Sequence, residues 1–465
     1  MFQVFRGQQS LSTYRELLAD TLLCFLAVLL AAASIKGTPA DVALVLLATP
    51  SVLAPALLFA VLMSLMYSFV GLYRDPNLSA LGVVLRLAGA FLTAGYITYL
   101  ALKEVQLHEH PAPLVGYALL YVTAGLVVCR GGAWLLWRLL GARRVLIVGA
   151  GDDAQSVFDG LGGAAHAQSH FVGFYPTSDE AVPALRGARR FERGDSLQDV
   201  VRRHGIDEII VAAREQRGGS VPMDELLACR IRGVPIVDLA AFYERTKSEV
   251  PLESLKASWL VYGEGFVQGR TRRILKRVFD IASSLVLLVV TAPVMLFAVV
   301  AIKLDSRGPI IYRQERVGLG GRTFTCLKFR SMRNDAEEDG VARWASSNDA
   351  RVTRVGRFLR KMRIDEVPQL WSVLKGEMSI VGPRPERPEF VAELQDQIPY
   401  YAVRHTVKPG ITGWAQVRYT YGASLEDARR KHQFDLYYVK NNTLFLDLLV
   451  LIETVNVVLA GKGAH

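Results

Sequence analysis

Residues 360–386 read RKMRIDEVPQLWSVLKGEMSIVGPRPE. Two adjacent carboxylates, Asp365 and Glu366, follow the cations Arg360, Lys361 and Arg363. Pro368 comes two residues after the pair, and an apolar stretch runs on to Gly376. Proline is accepted in the first turn of a helix but not inside one. Acidic residues are favoured just ahead of such a turn. The pattern predicts a helix that carries Asp365 and Glu366 at its N-terminus and stops at Gly376. Helix N-termini attract phosphate, so carboxylates placed there among arginines point to a site for a phosphorylated substrate. Taken alone, the stretch also reads as a capped surface helix with a solvated charge run. The rest of the chain has to decide between the two.

A chain of 465 residues has room for two or three domains. Its hydrophobic content is 51% and its mean hydropathy +0.24, high for a soluble protein. Cys24, Cys129, Cys229 and Cys326 are scattered without a CxxC pair, which argues against a structural zinc and a disulfide framework. A net charge of +10 favours anionic partners. No zinc-finger or RNA-recognition signature accompanies it, and the long apolar runs favour a membrane over nucleic acid.

Four apolar runs fill the N-terminal third: 17–35, one within 42–72, 83–102 and 114–140. Each approaches the roughly 20 residues of a spanning helix. No small-residue cleavage site follows the first, so it reads as a span and not a signal peptide. Arg6, Arg15, Arg74, Arg138, Arg143 and Arg144 fall on one side of the implied bundle, against Lys36 and Lys103 on the other. That bias puts both ends of the bundle in the cytoplasm. Arg86 and Arg130, inside spans, are either functional or paired with a neighbour. His108 and His110 form a loop pair with too few ligands for a metal by themselves.

Arg143–Ala154 (RRVLIVGAGDDA) follows as a short strand, a Gly turn and a helix start, the GxGxxA form of the dinucleotide fingerprint. Further strand-like runs at Phe171–Tyr175, Ile206–Ala212 and Val234–Leu239 alternate with helical segments. Such alternation predicts a Rossmann-like parallel sheet. No acidic residue ends a clear second strand to hold a ribose, so no nucleotide cofactor is assigned to this domain. Tyr243 and Lys247 match YxxxK but lie too near the Gly turn to be the dehydrogenase pair. Residues 246–270, with Gly263, Gly265 and Gly269, read as a linker.

A fifth apolar run, 281–302, is long enough to span. Arg272, Arg273, Lys276 and Arg277 precede it, and Lys303, Arg307, Arg313 and Arg316 follow. Two positive flanks both prefer the cytoplasm. Pro293 near its middle removes a helix hydrogen bond. The expectation is a re-entrant helix over about 278–303, broken at Pro293.

The blocks from this point on are Lys276-Arg277-x-x-Asp280, the Pro-broken run, Gln314-x-Arg316-x-Gly318 and Lys328-Phe-Arg-Ser-Met332. Asp349-x-Arg351-x-Thr353, Arg360 to Pro385 and Lys408-Pro-Gly-Ile-Thr-Gly-Trp-Ala-Gln416 complete the set. In order and spacing they resemble the bacterial sugar transferases, the monotopic phosphoglycosyl transferases that make polyprenyl-diphosphate-linked sugars. The whole layout resembles their long members, the undecaprenyl-phosphate glucose and galactose phosphotransferases of exopolysaccharide pathways. One departure is Ala292-Pro293, where that family commonly has Ser-Pro.

The resemblance implies a four-span membrane helical bundle over 1–141, a Rossmann-like α/β domain over 142–245 and the linker 246–270. A mainly helical monotopic catalytic domain with the re-entrant helix then occupies 271–465. It implies transfer of a sugar 1-phosphate from a nucleotide diphosphate sugar, a UDP-hexose being the expected case, to polyprenyl phosphate. Asp365 would be the nucleophile and would ligate Mg²⁺ (Mn²⁺ as a substitute), with Glu366 as base or positioning group. Arg360, Arg384, Lys328 and Arg330 would serve phosphate, and Trp414 would be structural. Tyr437, Tyr438 and 444–460 read as interfacial elements. The implied partners are the donor, the lipid acceptor and membrane lipids, without nucleic acid and with homodimerisation left open. The implied place is the bacterial inner membrane, catalytic domain inside. Competing readings are a membrane-anchored nucleotide-sugar dehydratase or epimerase and a non-catalytic scaffold. The first needs a second GxxGxxG domain, which the C-terminal half lacks. The second leaves the Asp-Glu-x-Pro and Gly-Pro-Arg-Pro spacing unexplained.

Overall fold

The computed structural model describes residues 11–36, 50–70, 72, 80–106, 108–149, 151–161, 169–177, 189–192, 194–212, 221–252, 255, 260–261, 265–333, 351–419, 422 and 424–459. Arg6, Arg74, Ala150, Gly263 and Asp349 lie outside them. The chain divides into two compact units, 1–248 and 249–465.

In the first unit all four expected runs are helical: α1 (Leu11–Lys36), α2 (Pro50–Phe69), α3 (Ala80–Glu104) and α4 (Pro111–Leu140). Small residues such as Ala31, Ala56, Ala90, Ala94 and Ala118 are fully buried between them, which lets the helices approach closely. Leu85, Leu92, Val127 and Val128 are exposed on the outside, an apolar surface suited to lipid. By length and composition, Glu16–Ile35, Gly82–Glu104, Pro111–Gly132 and Arg270–Asp305 can cross a membrane, while the apolar part of α2, Val52–Tyr67, is shorter. Arg130 Nη2 lies 2.8 Å from Asp20 Oδ2, so this in-span cation is paired. The His110 backbone N–H donates to His108 Nδ1 at 3.1 Å. Among the described residues no group of three His, Cys, Asp or Glu is placed to hold a metal ion.

The same unit contains a five-stranded sheet ordered β3-β2-β1-β4-β5. Its strands are β1 (Arg143–Val148), β2 (Ser169–Tyr175), β3 (Arg189–Arg190), β4 (Glu208–Val211) and β5 (Ile236–Asp238). Every pairing is parallel, as expected for a Rossmann-like half. The helices are α5 (Gly151–Leu161), α6 (Leu197–His204), α7 (Met223–Ile231) and α8 (Leu239–Lys247). β1 is apolar because it is buried on both faces, Val145 to Val148 being inaccessible. Gly149 has φ 148°, and a Cβ there would stand 2.4 Å from the Ala212 carbonyl oxygen, so packing alone requires this glycine. Lys247 Nζ sits 4.2 Å from the Tyr243 ring centroid, a cation–π pair one helical turn apart.

In the second unit, the first residues of the expected linker are packed. Val250 N–H donates to the Gln433 carbonyl, and Glu249 pairs with Arg430 at 2.6 Å. The long helix α9 (Arg270–Asp305) is continuous through Pro293. The expected helix–break–helix is therefore a single helical run in which the proline costs one backbone bond without ending the helix. Leu285, Val286, Val289, Val290, Leu296 and Phe297 leave its middle apolar and exposed. The hairpin β6 (Ile311–Val317) and β7 (Thr323–Phe329) follows, then α10 (Arg354–Lys361), a 3-10 turn Ile364–Glu366 and α11 (Gln369–Lys375). Next come β8 (Ser379–Val381), α12 (Pro388–Gln397), a 3-10 segment Tyr401–Thr406 and β9 (Gly410–Thr412). α13 (Trp414–Arg418), α14 (Leu425–Asn441) and α15 (Leu444–Leu459) end the unit.

The Lys276 and Asp280 block on α9 has a structural explanation. Asp280 Oδ1 accepts from Ser379 Oγ at 2.9 Å and from Ile380 N at 3.2 Å. Lys276 Nζ lies 3.3 Å from Asp280 and 2.9 Å from Asp447 on α15. These bonds fasten the helix to β8 and α15. Tyr437 and Tyr438 correct the interfacial reading, since both are buried. Tyr437 stacks on Trp414 with centroids 5.9 Å apart. Tyr438 Oη lies 2.6 Å from Asp447 Oδ1 and 2.9 Å from the Val381 carbonyl. The polar end of Tyr438 finds its partners inside the protein, not at a headgroup surface.

Candidate active site

Asp365 and Glu366 sit on the 3-10 turn, one turn ahead of α11. Pro368 caps that helix and Gly376, at φ 89°, ends it, as the Pro and Gly positions predicted. Arg277 seals the same end by donating to the Val373 and Leu374 carbonyls, both at 2.5 Å. Arg363 enters the turn at φ 57°, ψ 18°, a left-handed conformation that costs a non-glycine residue about 1 kcal/mol or more. This strained entry turns the two carboxylates inward, and both are buried.

Glu366 collects the cations. Its Oε1 receives Lys328 Nζ from β7 and Arg384 Nη2 from the loop after β8, each at 2.8 Å. Arg363 Nη1 lies 3.9 Å from Oε2. Burial alone would raise this carboxyl. Arg384, Lys328 and Arg363 outweigh it and hold Glu366 well below the usual carboxylate range. Asp365 differs: its Oδ1 is buried and has no hydrogen-bond partner. Burial, then the neighbouring Glu366 charge, push it up to about 6, against the pull of Lys328, Arg363 and Arg360. Two adjacent carboxylates thus differ in kind, one clamped and anionic, the other bare.

The Arg384 loop is fixed by the Lys408–Gln416 block. β8 and β9 pair in parallel, Ser379 with Gly410 and Val381 with Thr412. A Cβ on Gly382 would stand 2.3 Å from the Lys408 carbonyl oxygen, so the two strands meet there backbone to backbone. Arg404 donates to the Arg384 carbonyl at 2.9 Å and is itself paired with buried Asp435 at 2.8 Å.

The structure therefore brings Asp365, Glu366, Lys328 and Arg384 together, with Arg360 on the last turn of α10 close enough to lower Asp365. Arg330 has another place. Its guanidinium donates to the Ser306 carbonyl and hydroxyl and to the Arg307 carbonyl, at 2.7, 2.9 and 2.9 Å. It closes the C-terminal end of α9. Arg404 and Asp435 had no sequence signal, because no motif marks a pair 31 positions apart. Arg363 was visible as a charge, but its backbone conformation was not.

Such a site can attack phosphorus with a carboxylate and hold phosphate oxygens with fork-shaped donors. The comparisons agree in kind. A family model described as bacterial sugar transferase matches residues 271–461. A UDP-N-acetylgalactosamine-undecaprenyl-phosphate N-acetylgalactosaminephosphotransferase of Aeromonas hydrophila is 41% identical over 52% of this chain and 56% of its own length. An undecaprenyl-phosphate glucose phosphotransferase of Komagataeibacter xylinus is 34% identical over 68% of this chain and 58% of its own. A UDP-glucose:undecaprenyl-phosphate glucose-1-phosphate transferase of Caulobacter vibrioides is 43% identical over 41% of this chain and 72% of its own. The match spans little more than half the length of the first two. The chain belongs to the bacterial sugar transferase family.

Proposed function

We propose that the chain transfers a sugar 1-phosphate from a nucleotide diphosphate sugar to polyprenyl phosphate, initiating exopolysaccharide or related glycan assembly. What carries the reading is the bare, buried carboxylate of Asp365 beside a Glu366 already engaged by Lys328 and Arg384. The named relatives use different sugars, and a UDP-sugar is the proposed donor class.

In the first step an Asp365 oxygen attacks the sugar-bearing phosphorus. A P–O bond forms, and the bond to the bridging oxygen breaks with its electron pair leaving on the nucleoside monophosphate. In the second step a phosphate oxygen of the lipid attacks the same phosphorus. The Asp365–phosphorus bond breaks, and Asp365 returns as a carboxylate. Glu366, held anionic, positions Lys328 and Arg384, whose remaining N–H groups face the phosphate oxygens along with Arg360. The donor set suits Mg²⁺, which is commonly bound by one or two carboxylates plus substrate phosphates. Asp365 would hold it, and the ion would supply neutralisation of diphosphate charge.

We place the catalytic unit on the cytoplasmic face of the bacterial inner membrane, anchored there by α9. Its like-charged flanks support this. The activity test is a panel of nucleotide sugars with polyprenyl phosphate and Mg²⁺, following nucleoside monophosphate release. Release from a UDP-hexose that depends on Asp365 is the expected result. No release from any nucleotide sugar would overturn the reading.

A further inference from the structure

The α/β domain carries a cleft of about 560 Å³ at the end of the sheet where β1 and β2 begin. Ala142, Arg144, His170, Val172, Arg189, Arg203 and His204 line it. The cations come from separate elements. Arg144 on β1 is the register partner of His170 on β2. Arg189 comes from the edge strand β3, and Arg203 and His204 end α6.

The side chains are partly held in place. Arg144 Nη1 donates to the His204 carbonyl at 3.0 Å. Arg189 Nη1 lies 3.5 Å from His204 Nδ1, and its guanidinium lies 5.5 Å from the Phe191 ring. Among the described residues no carboxylate lines the cleft. The carboxylates bonded to its residues are Asp199, 3.9 Å from Arg203 and shared with Arg202, and Asp207, which accepts from the Arg144 backbone N–H. Cations at the end of α6 are explained by the helix dipole. That does not account for Arg144 and Arg189, which two strands bring to the same place. Three guanidinium groups lining one cleft repel one another, and a multiply charged anion relieves the repulsion.

We propose that this cleft binds a phosphate-bearing anion, at a site separate from the Asp365 centre. Its volume suits a diphosphate with a small organic group. Ala142 follows the end of α4, Leu140, by two residues, a reach of about 7 Å. The phosphate can therefore come from a lipid headgroup as well as from a soluble diphosphate. The inference does not depend on the proposed reaction.

Purified full-length protein tests it, with Arg189→Gln/Arg203→Gln as the variant. Both side chains are exposed, so folding is not at stake. Bound pyrophosphate is counted by equilibrium dialysis, and retained phosphatidylglycerol by mass spectrometry after reconstitution in nanodiscs doped with that lipid. With a soluble source, wild type binds pyrophosphate at a site that the variant weakens at least about tenfold, and Arg384→Ala leaves that site unchanged. With a lipid source, wild type retains phosphatidylglycerol that the variant loses. Pyrophosphate binding and lipid retention both unchanged in the variant would overturn the proposal.

Discussion

Arg404 Nη2 donates to the backbone carbonyl oxygen of Arg384 at 2.9 Å. Arg384 in turn reaches Glu366 with its side chain. A fully buried cation thus sets the position of a residue that the substrate would meet. Arg404 is held by Asp435 and by the Tyr401 hydroxyl, which accepts from Nη1 at 2.6 Å.

Breaking that support should cost stability first. Asp435→Ala leaves the Arg404 charge uncompensated, a loss of about 3–5 kcal/mol for a buried pair. Thermal unfolding followed by circular dichroism should show a large fall in midpoint. An unchanged midpoint would mean that the ion pair does not hold the domain together.

Arg384→Ala should act on turnover more than on folding, because the side chain is partly open and its backbone stays anchored by Arg404. A loss of about 100-fold or more in kcat/KM is expected for removal of a charged donor at a phosphoryl site. Steady-state release of the nucleoside monophosphate measures it. Wild-type kinetics in this variant would remove Arg384 from the phosphate clamp.

The bareness of Asp365 gives a pH dependence with a defined sign. Burial raises its carboxyl to about 6, and the proposed nucleophile is its carboxylate, so kcat/KM should fall as pH drops through about 6. Lys328→Met removes a cation that favours the charged form, so the acidic limb should move to higher pH. A limb that stays in place would show that Asp365 is not the titrating group.

The same shift predicts a trade between activity and stability. A carboxyl raised in the folded state stabilises folding below its unfolded value of about 4. That contribution is lost as pH rises through about 6, and at pH 8 the buried charge costs the native state on the order of 1–3 kcal/mol. Asp365→Asn should therefore abolish turnover yet raise the unfolding midpoint at pH 8. A lowered midpoint there would contradict the assignment of Asp365 as a bare buried anion.

The parts of the site set by local chemistry were legible from the sequence. Pro368 and Gly376 mark the ends of a short helix whatever surrounds it, and Asp365 and Glu366 stand ahead of it. The parallel sheet was legible because β1, β2 and β4 each contain a short apolar run. Places set by distant partners were not. Lys328 and Arg330 are two positions apart, as on one strand face, but β7 stops at Phe329 and Arg330 turns to carbonyls 23 and 24 positions earlier. Tyr437 and Tyr438 have the hydropathy of interfacial residues, and only the fold brings Trp414 and Asp447 to them. The two-residue strand β3 is too short to have a period, and its pairing with β2 depends on Gly173.

The central claim is that Asp365 becomes covalently attached to the phosphosugar. Purified protein mixed with the donor and Mg²⁺, with no lipid acceptor present, is the direct test, read by intact-protein mass and peptide mapping. The account predicts about one equivalent of nucleoside monophosphate released per active chain and a phosphosugar adduct on Asp365, absent in Asp365→Asn. Release that occurs only when polyprenyl phosphate is present, with no adduct on the protein, would contradict it.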